Sequence, residues 1–159
     1  MTDTFSREKR SLIMSRIRSK GNASTEMRFI EILRSNKVTG WRRGAKLVGK
    51  PDFVFPRERI AVFIDGDFWH GNPKKFRIPK SNVEYWEKKI LSNRRRDRRI
   101  NRELRSLGWR VLRFWQSALV NEKMVVTRLR RALNTGKNKE RIFPEEGLKD
   151  SIQQGPALN

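Results

Sequence analysis

Residues 49–71 read GKPDFVFPRERIAVFIDGDFWHG, and this stretch decides the fold of the chain. Two strand-like segments, 52–55 (apolar after Asp52) and 60–64, are separated by the short link 56–59, a spacing that predicts a β-hairpin. The second segment is apolar throughout, as in a strand that is covered on both faces. The sequence therefore predicts that residues 60–64 form the central strand of a sheet with helices on both sides.

The remaining chain supplies helices and further strands around this hairpin. Periodicity and chain breakers predict four helices (7–18, after the N-cap Ser24, 83–107 and 118–133) and two further strands (41–47 and 109–114). This order is typical of an α/β sandwich with a small mixed central sheet and flanking helices. Residues 1–133 are expected to form this one domain, and residues 134–159, which are rich in Gly and Pro, a mobile tail.

The chain is strongly basic, with 38 Lys and Arg against 17 Asp and Glu and a net charge of +21. Residues 134–159 hold four basic and four acidic side chains, so the surplus lies in 1–133. A positive field of this strength favours a polyanion, and we expect duplex DNA. Cysteine is absent and His70 is the single histidine, which excludes disulfides, Cys nucleophiles and multi-His metal sites.

The sequence contains neither a membrane span nor an N-terminal leader by pattern. No apolar run approaches the length of about 18 residues that crosses a membrane. The first residues lack the apolar core of a signal peptide. We therefore expect a cytoplasmic bacterial protein that acts at the nucleoid and has no membrane partner.

Three acidic residues occupy positions that suit a metal site. Asp52 begins one strand of the hairpin and Asp65 ends the other, so their carboxylates are expected at one edge of the sheet. Hard oxygen ligands without a Cys or His cluster suit Mg²⁺ or Mn²⁺, although both residues could simply form turns. At 100° per residue, Asp97 shares a helical stripe with Ile90 and Leu104 and should face inward. The alternative for Asp97 is a salt bridge to an arginine of its own helix.

The loop after the central strand carries further candidates. His70 could act as a general acid or base or contact a phosphate or a metal-bound water, although a lone histidine also suits a structural role. Phe68 and Trp69 could stack on bases or insert between base steps, or else pack in the core.

These motifs resemble those of the very-short-patch repair (Vsr) endonucleases. The resemblance covers residues 7–120 and rests on four linked motifs: GKPDFVFP at 49–56, VFIDGDFWHG at 62–71, the segment from Tyr85 to Arg99, and LGWRVL at 107–112. It implies a restriction-endonuclease-like fold and an enzyme that nicks duplex DNA beside a T:G mismatch with Mg²⁺.

The resemblance also implies roles for individual residues. Asp52 resembles the essential metal-binding aspartate, and the carbonyl of Ile64 would be a second ligand. His70 resembles the catalytic histidine, while Asp97 and Glu26 resemble carboxylates that support the site. The expected DNA contacts are aromatic wedges, the N-terminal arm 1–20 and basic side chains along the backbone: Phe68, Trp69, Trp86, Met14, Lys74, Lys75, Arg94, Arg95 and Arg98.

Two departures separate this chain from the family pattern. The family has a structural zinc bound by Cys and His, but the matching positions here are Asp67, Asn72 and Ser117, so no structural zinc is expected. The family also has a second active-site histidine where this chain has Asp65, which we expect to bind metal as a further catalytic carboxylate.

Two other functions remain open at this stage. One is a nuclease of the same fold that acts in defence or restriction of foreign or modified DNA without mismatch specificity. The other is a non-catalytic duplex DNA-binding protein, although a binder would gain from losing acids that repel phosphate. The sequence does not indicate a protein partner in repair or defence.

Overall fold

The computed structural model describes the backbone of residues 25–140 and the side chains of residues 25–135. The elements in chain order are α1 (helical over 25–35), β1 (Phe53–Phe55), β2 (Ile60–Asp65), α2 (Val83–Ser106), β3 (Arg110–Trp115), a 3-10 helix (Gln116–Val120) and α3 (Glu122–Glu140). The helix predicted at 7–18, the arm residue Met14 and the segment after 140 lie outside the described residues.

The three strands form one mixed sheet in the order β1-β2-β3. β1 and β2 pair antiparallel, with Phe53 opposite Val62, which confirms the predicted hairpin. β2 and β3 pair parallel, with Val62 also opposite Leu112. A parallel pair needs a long crossover connection, and α2 lies within that connection. β2 is therefore the central strand, as predicted.

Side chains alternate along β2 and enter different cores on the two faces of the sheet. Ile60 and Val62 pack into the larger core with residues of α1 and α3. Ala61 and Phe63 pack on the other face against Leu104 of α2. Complete burial of an aliphatic or aromatic side chain stabilises a fold by about 1.5–3 kcal/mol. The helices on both faces confirm the predicted α/β sandwich.

Helix α2 holds the loops before β1 and after β2 at very close range. A Cβ on Gly49 would overlap Cγ2 of Ile100, and a Cβ on Gly71 would lie 2.7 Å from Cγ2 of Ile90. Both glycines also have positive φ, which side chains disfavour. The two loops can therefore approach the face of α2 that carries Asp97.

Two predicted elements differ in the structure. The strand predicted at 41–47 is reduced to one bridge between Arg42 and Val54, because β1 is only three residues long and Gly44, at φ +68°, turns the chain. The last helix was predicted at 118–133 but begins at Glu122, since the Oδ1 atom of Asn121 accepts a hydrogen bond from the backbone N of Met124 and caps it. It extends to residue 140, into the segment predicted as tail.

The long helix α2 agrees with its predicted bounds and ends where Gly108 adopts φ +78°. Neither it nor another helix in the described part of the chain is long and apolar enough to cross a membrane.

Candidate active site

A cleft of about 670 Å³ opens beside the C-terminal end of β2. It is lined by the hairpin, the loop after β2, α2 and β3, and it brings together Asp52, Asp65, His70 and Asp97. The register explains part of this convergence, because Phe53 lies opposite Val62 and Asp52 therefore lies beside the end of β2. The predicted meeting of the two hairpin acids at one sheet edge is confirmed.

Asp52 is a desolvated carboxylate that accepts one hydrogen bond from the residues that the structure describes. Its Oδ2 atom accepts a hydrogen bond of 2.7 Å from the backbone N of Ile64. Burial raises the pKa of Asp52 to about 6; the Ile64 hydrogen bond opposes this change, and the negative charges of Glu26 and Asp65 add to it. A bound cation would offset both the cost of burying an ionised carboxylate and the repulsion from the neighbouring acids.

The donors around Asp52 suit a hard divalent cation that retains water ligands. Asp52 and Ile64 both line the cleft and supply oxygen atoms. No group of three or more His, Cys, Asp or Glu side chains is arranged to hold a metal ion within the described residues. Mg²⁺ binds through one or two carboxylates and keeps several waters, so this sparse oxygen set fits it.

Asp97 faces the cleft and contacts His70. Its Oδ2 atom lies 2.6 Å from Nδ1 of His70, and its Oδ1 atom lies 3.1 Å from Nη2 of Arg113. Arg96 of the same helix is more distant at 3.9 Å, so the same-helix salt bridge is the minor contact. Burial would raise the pKa of Asp97, but His70, Arg113 and Arg96 together lower it. An ionised Asp97 favours a proton on Nδ1 of His70 and leaves Nε2 free.

Asp65 forms a bidentate pair with Arg113, a residue that sequence reasoning missed. Nε of Arg113 donates to Oδ2 of Asp65 at 2.7 Å, and Nη2 donates to Oδ1 at 2.8 Å. Burial would lower the pKa of Arg113, but Asp65 and Asp97 raise it, so the guanidinium stays charged. The signal in the sequence was strand alternation, because Arg113 shares a face of β3 with Val111, which packs towards α2.

Glu26 and several basic side chains surround this acidic group. Glu26 forms an ion pair with Arg43 and is close enough to Asp52 to raise its pKa. Three basic residues that were not predicted also line the cleft: Lys50, Lys89 and Arg96. Lys89 and Arg96 are about two helical turns apart and so lie on one side of α2.

The three predicted wedge residues lie together beside the cleft. The ring of Phe68 is 5.3 Å from Trp69 and 5.1 Å from Trp86. Phe76 and Tyr85, which were not predicted, extend this aromatic cluster, and Tyr85 is 58% exposed. Partial exposure of the cluster leaves ring surface available for stacking.

The predicted basic contacts divide into two groups. Lys74, Lys75, Arg95 and Arg98 are exposed. Arg94 is exposed as well, but it donates to the backbone carbonyls of His70 and Gly71, because Gly71 lets the loop approach α2. Its guanidinium therefore holds the His70 loop on the helix.

The positions matched to zinc ligands form a hydrogen-bonded cluster. Oδ2 of Asp67 accepts from the backbone N of Ser117 at 3.1 Å. Oδ1 of Asp67 accepts from Oγ of Ser117 at 2.8 Å and also from the side-chain amide of Asn72. The loop after β2 is thus joined to the start of the 3-10 helix by direct hydrogen bonds.

An acidic cleft with a basic rim, at the edge of a small mixed sheet with helices on both faces, suits an enzyme that acts on a polyanion. The family model described as DNA mismatch endonuclease Vsr matches residues 2–75. The type II nicking enzyme V.XorIIP of Xanthomonas oryzae pv. oryzae is 38% identical over 135 residues, 84% of this chain and 98% of that protein. The DNA mismatch endonuclease Vsr of Escherichia coli is 37% identical over 120 residues, 75% of this chain and 76% of that protein.

A second nicking enzyme, V.NmeAIP of Neisseria meningitidis, is 36% identical over 132 residues, 82% of this chain and 94% of its own. The chain belongs to the Vsr family of DNA endonucleases. Its substrate is DNA, and nucleases of this family are generally metal-dependent. Family membership also argues against a non-catalytic binder.

Proposed function

We propose that this endonuclease uses Mg²⁺ to cut one strand of duplex DNA at or near a T:G mismatch. The observation that carries the proposal is the half-buried Asp52, which shares a cleft with the Asp97–His70 pair. The names of the relatives, a mismatch endonuclease and nicking enzymes, support a single-strand cut.

Asp52 and the carbonyl of Ile64 would hold Mg²⁺, or Mn²⁺ in its place. When bound, such an ion polarises the scissile phosphate and lowers the pKa of water. Asp65, expected from sequence to be a further ligand, has each oxygen bonded to Arg113. We therefore give Asp65 a supporting role and keep Asp52 as the principal carboxylate.

The residues of the chain position substrate and move protons. Asp97 holds Nδ1 of His70, so Nε2 is available to accept or donate a proton beside the phosphate. Lys50, Lys89 and Arg96 present positive charge to the phosphate from the walls of the cleft. Glu26 acts at a distance by adding negative charge near Asp52.

DNA recognition in this proposal combines backbone charge with aromatic wedging. The exposed basic residues contact phosphates along the duplex: Lys74, Lys75, Arg95 and Arg98. Phe68, Trp69 and Trp86 insert beside the mismatch, where unstacking costs less than in paired DNA. Met14 and the arm 1–20 would contact the DNA from another side. Such an enzyme works at the nucleoid in the bacterial cytoplasm.

A second candidate function is nicking of foreign or modified DNA without mismatch specificity. The type II nicking enzymes among the relatives support it, because their names specify nicking and not a mismatch. This chain has Asp65 where the family pattern has an active-site histidine. The difference supports a substrate preference that departs from that of the family.

End-labelled duplexes, either matched or containing T:G, distinguish the two candidates. With Mg²⁺ we expect faster nicking of the T:G duplex, lost in Asp52→Ala and kept in the matched control Glu103→Ala, an exposed acid on α2. Equal nicking of both duplexes would favour the second candidate. Undiminished nicking by Asp52→Ala would refute the assigned site.

A further inference from the structure

Arg113 of β3 lies between the two supporting carboxylates of the cleft. Besides its two hydrogen bonds to Asp65, its Nη2 atom lies 3.1 Å from Oδ1 of Asp97. Its Nη1 atom donates to Oδ1 of Asn101 at 3.0 Å. The guanidinium also lies 4.7 Å from the centroid of the Phe63 ring. These contacts fix both the position and the plane of the group.

The contact with Asp97 extends to the histidine. One oxygen of Asp97 faces Arg113 and the other lies 2.6 Å from Nδ1 of His70. A carboxylate that is held at one oxygen has little freedom to rotate at the other. Nδ1 of His70 also lies 3.6 Å from Oδ1 of Asp65, the other carboxylate that Arg113 holds. The orientation of the imidazole therefore depends on the guanidinium through these carboxylates, since no direct contact joins Arg113 and His70 among the described residues.

We propose that Arg113 is a positioning residue: it holds Asp65 and Asp97 in one arrangement and, through Asp97, fixes the tautomer and the orientation of His70. The inference rests on the catalytic role proposed above for His70. Lysine cannot replace this arginine, because an ammonium group lacks the planar fork that bonds two carboxylates at once.

The single histidine of the chain permits a direct test by nuclear magnetic resonance. In tag-free, metal-free protein at a pH where the imidazole is neutral, its ¹⁵N shifts report whether Nδ1 or Nε2 carries the proton. We expect the Nδ1-H tautomer in the wild type. In Arg113→Lys we expect a mixture enriched in the Nε2-H tautomer, which free histidine prefers. An unchanged tautomer ratio in Arg113→Lys would overturn the proposal.

The rate at which the enzyme nicks the intact T:G duplex gives a second readout. Arg113→Lys should lower kcat about 10- to 100-fold, the usual effect of losing an outer hydrogen-bond partner, with KM changed little. Arg110→Lys is the matched control, because Arg110 lies on the same strand but donates to the carbonyls of Ala132 and Glu58. It should keep kcat even if it lowers the melting temperature.

Chemical rescue separates positioning from folding. In Arg113→Ala, low concentrations of guanidinium should raise kcat above a sodium chloride control of equal ionic strength. Equal rates in the two salts, or wild-type kcat in Arg113→Lys, would contradict the inference. If Asp52→Ala and His70→Ala keep full activity, the proposed site itself fails, whereas the tautomer measurement still judges the role of Arg113.

Discussion

The ionised form of Asp52, the carboxylate proposed to bind the metal, is expected to destabilise the folded protein. Burial raises its pKa from 3.8 to about 6, so the folded protein holds this proton more tightly than the unfolded chain. Stability is therefore highest while both states are protonated, and it falls as the pH rises from about 4 through about 6. At about 1.4 kcal/mol for each tenfold change in proton affinity, the ionised carboxylate costs the fold about 3 kcal/mol at pH 7.

Asp52→Asn should remove this cost and abolish nicking. The asparagine oxygen can still accept the hydrogen bond from the backbone N of Ile64, so the local geometry is kept. We expect the free energy of unfolding at pH 7 to rise by about 3 kcal/mol, which corresponds to a gain of roughly 6–12 °C in melting temperature. The gain should vanish below about pH 4, where wild-type Asp52 is already neutral.

Urea denaturation across this pH range, with EDTA present, measures the effect without bound metal. Asp67→Asn is the matched control: the two carboxylate oxygens of Asp67 accept from three donors, and the same chemical change replaces one of these oxygens with an NH2 group that faces a donor, so it should destabilise the protein. Added Mg²⁺ should stabilise the wild type and not Asp52→Asn. If Asp52→Asn is no more stable than the wild type at pH 7, or if its gain does not depend on pH, the reasoning about Asp52 is refuted.

Three further predictions follow from the same contacts. Ser117→Ala should lower the free energy of unfolding by about 1–3 kcal/mol in urea titrations through its lost bond to Asp67, and a loss below about 0.5 kcal/mol would contradict this. Leu104→Ala, fully buried between α2 and the sheet, should cost about 2–5 kcal/mol in the same assay; a smaller loss would argue against that core. Lys89→Ala should weaken DNA binding and reduce the slope of log affinity against log salt by about 1, whereas an unchanged slope would exclude a phosphate contact.

Patterns with a short period were sufficient for much of this fold. The short link 56–59 between segments 52–55 and 60–64 predicted the hairpin, and the continuous apolar run 60–64 predicted a central strand covered on both faces. The stripe through Ile90, Asp97 and Leu104 predicted the buried side of α2, because a helix repeats every 3.6 residues. The start of α3 was missed since it depends on one local cap, the side chain of Asn121.

What the sequence determined by itself is the set of groups that enter the cleft: Asp52, Asp65, His70 and Asp97 belong to elements whose ends could be located from local patterns. Only the tertiary structure decided what those groups do to one another. Asp65 and Arg113 are 48 residues apart, and their pairing requires the parallel register of β2 and β3 beneath α2. The pKa of Asp52 likewise depends on burial, which arises only when distant segments pack together.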